Sequence, residues 1–505
     1  MTLAPLDPGH LTQQQLESTL WAAANALRGP VDPGDFKAYV FPVMFFKWIS
    51  DNWDYEHNLA VLDYGDQLTS EVEADRHAFV VPDGCHWNDV FETTQHTGAK
   101  LDQVLQQLQL ANPESLANVF GDVNWANQDR LPQTALTALL NSFHGVRLDP
   151  DSVGGDMLGS AYEYLLREFA EASGKKAGEF FTPRHVVHLL VKLLAPKPGD
   201  SIGDPACGSG GMLVETVNAI KESGGNPLTL KLHGQEINLT TSAIAKMNLY
   251  LHGLEDFTIA RGDTFRTPKL LDGGGLKKFD IVIANPPFSL QNWGADTWAT
   301  DPYGRGSYGV PPGKNGDWAW IEHMIVSMKD DTGRVGVVMP HGTLFRGGKE
   351  GAIREAVLRD NVLEAVISLP NNLFYSTSIP VAILVFRRNK PAERNGKVLF
   401  IDATKRFVPG KNQNTMSEKD VEMVDAAYKR GIDIDGDDGL SLRLVDLAEI
   451  EENGFDLNIG RYLKGETAAE ANVEEALIAY KESRNRLFAM EEVLAQKMKA
   501  AGYDF

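Results

Sequence analysis

The most specific chemistry in this sequence is carried by a short apolar run that halts on an asparagine and two prolines, Ile281-Val-Ile-Ala-Asn-Pro-Pro-Phe288. Prolines fix φ and lack an N–H, so the carbonyls around them are left to accept hydrogen bonds. An exocyclic amine such as adenine N6 is a poor nucleophile because its lone pair is delocalised into the ring. If the Asn285 side-chain oxygen and the Pro286 carbonyl each take one amine hydrogen, the nitrogen is drawn toward tetrahedral geometry. Its lone pair then points at an electrophile and the developing positive charge is stabilised. Phe288 would stack on the base, which must leave its duplex, at a cost of about a few kcal/mol, to reach such a pocket. The amine of cytosine N4 has the same electronics, so this motif alone fits both bases.

A second constellation precedes it. Ser201-Ile-Gly-Asp-Pro-Ala-Cys-Gly-Ser-Gly-Gly-Met-Leu213 runs from a strand through a glycine-dense turn into a helix, where a ligand can approach the backbone and the helix start offers free N–H groups. The spacing matches neither the Gly-x-x-x-x-Gly-Lys-Ser/Thr phosphate loop nor the Gly-x-Gly-x-x-Gly dinucleotide fingerprint, which favours a ligand bound other than through phosphate. The next strand ends at Gly234-Gln-Glu-Ile-Asn238, placing Glu236 where an acid can take both hydroxyls of a ribose. Asp263, in Gly262-Asp263-Thr264-Phe265, closes a third strand and could accept from an adenine amino group.

These residues need a sheet with their turns at one edge. Short β-branched runs at 200–204, 230–237, 280–284, 335–339, 362–369 and 381–388 alternate with helical stretches, which predicts a mostly parallel α/β sheet between about 156 and 400. The last two runs are too close for a helical crossover and are expected to pair antiparallel at an edge. Before them, apolar residues at helical spacing (Leu16, Leu20, Trp21, Ala24, Leu27, then Val40, Val43, Met44, Trp48) flank the turn at 29–34 and predict a helical hairpin within an all-helical module. After Asp402 the chain turns polar and acidic, with a surface loop expected at 433–438. A long helix is expected over 468–500, with Val473, Tyr480, Leu487 and Leu494 at a seven-residue interval. The expected domains are 1–155, helical; 156–410, α/β; and 411–505, a C-terminal region carrying that helix.

Composition narrows the class. At 505 residues, 43% apolar and 23% charged, the chain is globular and of about three domains. Two cysteines, Cys85 and Cys207, exclude a disulfide scaffold, and Cys207 reads as a small packed side chain. No apolar run approaches the length of a membrane span, and the first residues lack the features of a signal peptide, so a cytoplasmic protein is expected. The net charge of −21 disfavours a lone, self-sufficient DNA binder.

Together the motifs resemble a family. Asp-Pro-Ala-Cys-Gly-Ser-Gly-Gly (204–211) looks like the S-adenosylmethionine motif, and Asn-Pro-Pro-Phe (285–288) the catalytic motif, of amino-methylating DNA methyltransferases. Gly178-Glu-Phe-Phe-Thr-Pro-Arg184, Leu158-Gly-Ser-Ala-Tyr-Glu-Tyr164, Leu20–Gly29, Phe45–Asp51, Gly454–Asn458 and Arg461-Tyr462 are similar to the modification subunits of type I restriction-modification systems. The resemblance implies a doubly wound seven-stranded sheet and N6 of a flipped adenine in double-stranded DNA as the target. It implies an S-adenosyl-L-methionine site lined by Glu179, Phe180, Phe181, Thr182, Pro183, Arg184, Ser209, Gly210, Gly211 and Glu236. Asp204 would shape its turn and Asp263 would lie near its adenine; Asn285, Pro286 and Phe288 would carry the base chemistry, with no metal or covalent intermediate. The implied partners are a DNA specificity subunit, with two copies of this chain per copy of it, and a restriction/translocase subunit, which makes the acidic total no contradiction.

Two other readings fit parts of the sequence. A protein glutamine N5-methyltransferase uses a similar Asn-Pro-Pro-aromatic turn, against which stand Phe288, where those enzymes typically carry Tyr, and the large helical module. A noncatalytic assembly scaffold would keep the fold, against which stand intact Asp204, Glu236 and Asn285. The segment Gln291–Asn315, rich in Gly, Trp and Tyr, is expected to contact the surroundings of the flipped adenine. The terminal helix is the expected dock for the specificity subunit: deleting 468–500 should abolish complex assembly on gel filtration while leaving calorimetric cofactor binding intact, and retained assembly would sink this assignment.

Overall fold

The computed structural model describes residues 11–154, 156–173, 182–374, 378–411, 413–432 and 439–463, with Arg484, Met490, Glu491, Leu494 and Lys497 of the tail, which are helical. The loop expected at 433–438 and most of the helix expected over 468–500 lie outside these residues.

The N-terminal part is helical throughout: α1 (Gln13–Ala26), α2 (Phe36–Tyr64), α3 (Ser70–Ala74), α4 (Trp87–Phe91), α5 (Thr97–Ala111), α6 (Gln133–His144) and α7 (Met157–Ser173). Thr12 and Gln15 close a capping box at the start of α1, and Pro33 starts the single turn that leads into α2. The hairpin expected from the apolar spacing is present, with α2 running to Tyr64. Lys47 and Asp51, one turn apart on α2, are both buried and form an ion pair. Asp51 also accepts from the Leu148 N–H at 2.8 Å, which ties α2 to the chain end of the module.

The α/β part begins with α8 (Arg184–Leu194), β1 (Ser201–Asp204), α9 (Gly211–Glu222), β2 (Lys231–Glu236), α10 (Leu239–Leu251) and β3 (Phe257–Arg261). A small hairpin of β4 (Leu271–Asp272) and β5 (Gly275–Leu276) precedes β6 (Ile281–Ala284). Then come α11 (Ala295–Trp298), α12 (Asp317–Ser327), β7 (Arg334–Pro340), α13 (Gly342–Phe345), α14 (Lys349–Arg359), β8 (Leu363–Ser368), β9 (Val381–Arg387), β10 (Lys397–Asp402), α15 (Glu418–Arg430), β11 (Ser441–Asp446) and α16 (Leu447–Glu452). The main sheet has the order β11-β10-β8-β9-β7-β6-β1-β2-β3. Its pairs are parallel except at β9, which is antiparallel to β7 and β8, and at β11, antiparallel to β10.

The sheet is thus doubly wound and mostly parallel as expected, but it has nine strands among the described residues where seven were expected. The difference lies in β10 and β11, which extend the sheet past β8. The expected antiparallel pair, β8 with β9, forms in the interior instead of at an edge because β10 adds outside β8 and β9 inserts beside β7. Both strands are buried almost end to end, the burial of strands covered on both faces.

Apolar clusters lie on the two sheet faces and within the helical module, and the module's cluster takes in Ala243, Ile244, Met247, Tyr250 and Leu251 of α10. On the opposite side of α10, Ala245 and Leu249 belong to a sheet cluster. Polar bonds reinforce this joint: Tyr162 Oη donates to the Ile244 carbonyl (3.0 Å), Tyr250 Oη to that of Ser115 (3.0 Å) and Lys246 Nζ to that of Ala117 (2.8 Å). Met247→Ala is expected to cost about 2–5 kcal/mol, the usual loss for a fully buried methionine, measured by chemical denaturation; a change below half a kcal/mol would show that α10 does not bind the module to the sheet.

Candidate active site

β1, β2 and β6 end side by side, and the loops that follow carry the chemistry. β1 stops at Asp204, and the chain turns through Pro205–Gly210 into α9. Gly208 (φ +53°) and Gly210 (φ +79°) take the left-handed region there, which explains the glycines at these two places. Asp204 is 1% exposed, and its Oδ1 accepts the Ala206 N–H at 3.0 Å. Burial pushes its carboxyl up to about 8, with the negative charge of Glu236 adding to the effect. Cys207 is packed as expected of a small side chain, and a Cβ on Gly234 would fall 2.8 Å from its sulfur.

Glu236, the last residue of β2, joins two turns. One oxygen accepts the Gly208 N–H at 3.2 Å and the other the Asn238 N–H at 2.8 Å. Asn238 in turn caps α10. Asp263 is drawn into its own turn: Oδ1 accepts the N–H groups of Phe265 (2.9 Å) and Arg266 (3.1 Å), and Oδ2 takes the Arg266 guanidinium at 2.9 Å. Thr264 bonds the Pro205 carbonyl at 2.6 Å, so the loop after β3 is fastened to the loop after β1.

Asn285 follows β6 directly. Its amide nitrogen donates to Thr182 Oγ at 2.8 Å, and its Oδ1 is buried with no hydrogen-bond partner among the described residues. A buried carbonyl oxygen of this kind costs stability unless a donor arrives. Pro286 is buried; Phe288 is half-buried, its ring 6.3 Å from that of Phe374 at 70°. The turn is held from behind by Asp317, which is fully buried, accepts the Ser289 N–H at 2.6 Å and pairs with Arg346.

Two cavities open at this edge, of about 550 and 540 Å³, and both are lined by Leu166, Ala206, Gly208, Ser209 and Asn285. Glu236, Asp263 and Pro287 lie on the first; Thr182, Pro183, Arg184, Asp204 and Gly211 on the second. Gly210, Pro286 and Phe288 stand at the turns without lining either cavity, and Glu179, Phe180 and Phe181 lie outside the described residues. Each cavity is of the size that takes a small ligand or cofactor.

The helical module also reaches the site, which its apolar spacing did not announce. Gly34, Lys37, Leu166 and Phe169 line the first cavity, and Gln13, Glu17 and Glu163 the second. Glu163 falls in the 158–164 stretch singled out by resemblance; burial pushes its carboxyl up to about 7 against the opposing charge of Arg184. The segment 291–315 turns its tryptophans inward. Trp293 and Trp298 pack on Phe265, and Arg305, paired with Asp301, donates to the Thr264 and Phe265 carbonyls, both at 2.8 Å. Large indoles bury more area than an exposed loop could leave dry, so this segment walls the first cavity, with only Gln291, Asn292 and Trp293 on its lining.

Ligands of open α/β sheets sit outside the carboxyl ends of the strands, and both cavities do, which defines an α/β enzyme with its site at that edge. Residues 153–471 match the N-6 DNA Methylase family and residues 16–143 the HsdM N-terminal domain. The chain belongs to the N-6 DNA methylase family, as a methylase subunit of the type I restriction-modification kind, and is an adenine-specific, S-adenosylmethionine-dependent DNA methyltransferase. It is 31% identical to the type I restriction enzyme MjaVII methylase subunit of Methanocaldococcus jannaschii, over 90% of this chain and 78% of that one. It is 33% identical to the HindI methylase subunit of Haemophilus influenzae, over 74% and 82%. The crystal structure of a type I restriction-modification methyltransferase subunit from Streptococcus thermophilus superposes with a TM-score of 0.78 at 31% identity, covering 90% of this chain and all of that one.

Because the Asp204 carboxyl titrates at about 8 when folded against 3.8 ordinarily, its protonated form contributes stability that is complete below the lower value and is lost as pH rises through the upper. Asp204→Asn removes that titration. Its unfolding free energy, measured without cofactor, should fall less steeply with pH across this interval than that of the wild type; equal slopes would contradict the burial of this acid.

Proposed function

We propose that this chain methylates N6 of an adenine rotated out of double-stranded DNA, in the cytoplasm, within a complex in which a separate specificity subunit chooses the sequence. Two copies of the chain flank one specificity subunit, and a restriction/translocase subunit joins the assembly. The net charge of −21 supports this division of labour, since a chain that repels DNA overall needs a partner to grip it.

The observation that carries the reading is the buried Oδ1 of Asn285, which has no hydrogen-bond partner among the described residues. It lines both cavities, and its amide is oriented by Thr182, so the oxygen is held as an acceptor for one amine hydrogen while the Pro286 carbonyl takes the other. The bound base therefore presents its nitrogen lone pair away from the Asn-Pro turn, and the charge that grows on N6 meets two fixed dipoles. Phe288 stacks on the base.

S-adenosylmethionine fits the pair of cavities: Glu236 would hold the ribose hydroxyls in the first, with Asp263 at the adenine end. Thr182 to Arg184, Asp204 and Ser209 to Gly211, together with Glu179 to Phe181, would enclose the methionine end in the second. When bound, the cofactor supplies a methyl group on a sulfonium. The left-handed Gly208 and Gly210 backbone allows close approach. Exposed Met490 and Leu494, one turn apart in the tail, support a docking role for the C-terminal helix.

The test is methylation-resolved sequencing of DNA from the native host carrying wild type or Asn285→Ala. N6-methyladenine should vanish from one split recognition sequence, and the purified complex should lose at least about 100-fold in rate while cofactor binding by calorimetry persists. Matching methylomes with no other enzyme at the site would refute the reading.

A further inference from the structure

Two stretches of this acidic chain carry no acid at all: 365–392, and 403–417 with Lys405, Arg406 and Lys411. They are far apart in sequence, yet the fold sets the loops that they form at one place. β8 and β10 are parallel, and both run parallel to β6, so the loops leaving Ser368 and Asp402 emerge on the same edge as Asn285. There they are tied together: Asn414 donates through its N–H to the Asn372 carbonyl at 2.8 Å and through Nδ2 to that of Asn371 at 2.9 Å, and Gln413 bonds the Leu373 carbonyl. Val408 and Thr415 exchange backbone bonds of 2.7 and 3.0 Å, an antiparallel bridge that closes this stretch as a hairpin whose described residues are 408–411 and 413–415.

The base of this hairpin belongs to the site. Gln413 and Thr415 line the second cavity together with Asn285, and Phe374 packs against Phe288. Across from Thr415, the other side of this loop leaves apolar groups in solvent: Phe407 is 39% exposed, Val408 49%, and Ile379 of the neighbouring loop 50%, with Lys405 and Lys411 also exposed. Exposed apolar side chains flanked by Lys405 and Lys411, in stretches without acids of their own and with Arg406 paired to Asp420, at the rim of a pocket that receives an extruded base, are the chemistry of a wedge against stacked base pairs with phosphates on either side.

We infer that the hairpin around 405–415 contacts the DNA duplex flanking the target adenine, with Phe407 and Val408 packing into the stack that the adenine vacates and Lys405 and Lys411 facing phosphates. This rests on the base-flipping reading above and adds the surface that stabilises the extruded state. Removing a base from its stack leaves apolar faces in water, and an apolar wedge covers them, which offsets part of the cost of extrusion.

The test uses the full chain assembled with its specificity subunit and a duplex carrying 2-aminopurine in place of the adenine that methylation-resolved sequencing identifies. Phe407→Ala/Val408→Ala is expected to lower 2-aminopurine emission and to weaken DNA binding about tenfold. Lys411→Ala is expected to reduce the slope of log affinity against log salt by about 1. Assembly and calorimetric cofactor binding should remain unchanged in both. Unchanged emission and salt slope overturn the inference; so does loss of assembly on gel filtration, which would make the hairpin a dock for the specificity subunit. Wild-type methylation of the matching duplex that keeps adenine at the target position separates the two levels: with it, unaltered variants refute the hairpin alone, and without it both readings fall.

Discussion

Helix α10 has no solvent face to spare, and the architecture depends on that. It leaves the strand that ends in Glu236, is capped by Asn238, and buries one side on the sheet and the other in the helical module. A helix covered all round must be matched in shape by both neighbours, so the module cannot shift without disturbing the β2 edge. The cap that begins α10 is in contact with the carboxylate that bridges to the Gly208 turn. The rigid joint and the cavity wall are consecutive residues of one chain segment.

This coupling explains why the helical module takes part in the site. Its packing on α10 brings α7 over the glycine turn, so that Leu166 lines both cavities, and the aromatic contact of Tyr162 with Phe41 (4.2 Å between centroids) holds α7 to α2. On the other flank, the indoles of the segment after β6 close the wall of the first cavity, held by one buried arginine on two carbonyls. The site is therefore enclosed by a helical layer and an inserted loop, with the strand ends as its floor.

Electrostatically the pocket is a place where acids are crowded and dehydrated. Asp204 and Glu163 are both pushed upward by burial, and Glu236 is held by two backbone N–H groups. A cationic ligand relieves such crowding where an anionic one would worsen it, in keeping with a cofactor that carries a positive sulfonium. Among the described residues no helix is long and apolar enough to cross a membrane.

What the sequence determined by itself was local: the glycine turn, the proline stop after Asn285, the strand-end position of Glu236 and the alternation of strands and helices. Each has a signature within a few residues, because φ restriction, a missing N–H and hydrophobic period act on neighbours in the chain. The resemblance to type I modification subunits was legible for the same reason. Only the tertiary structure decided the rest. The donation from Asn285 to Thr182 joins positions far apart in the chain; β10 and β11 became sheet strands because a fully buried β8 needed a neighbour; and the tryptophans after β6 turned inward because Phe265 and Trp320 offered them a core. These outcomes rest on packing between segments distant in sequence, and a local pattern of residues carries no record of which surface will be there to meet it.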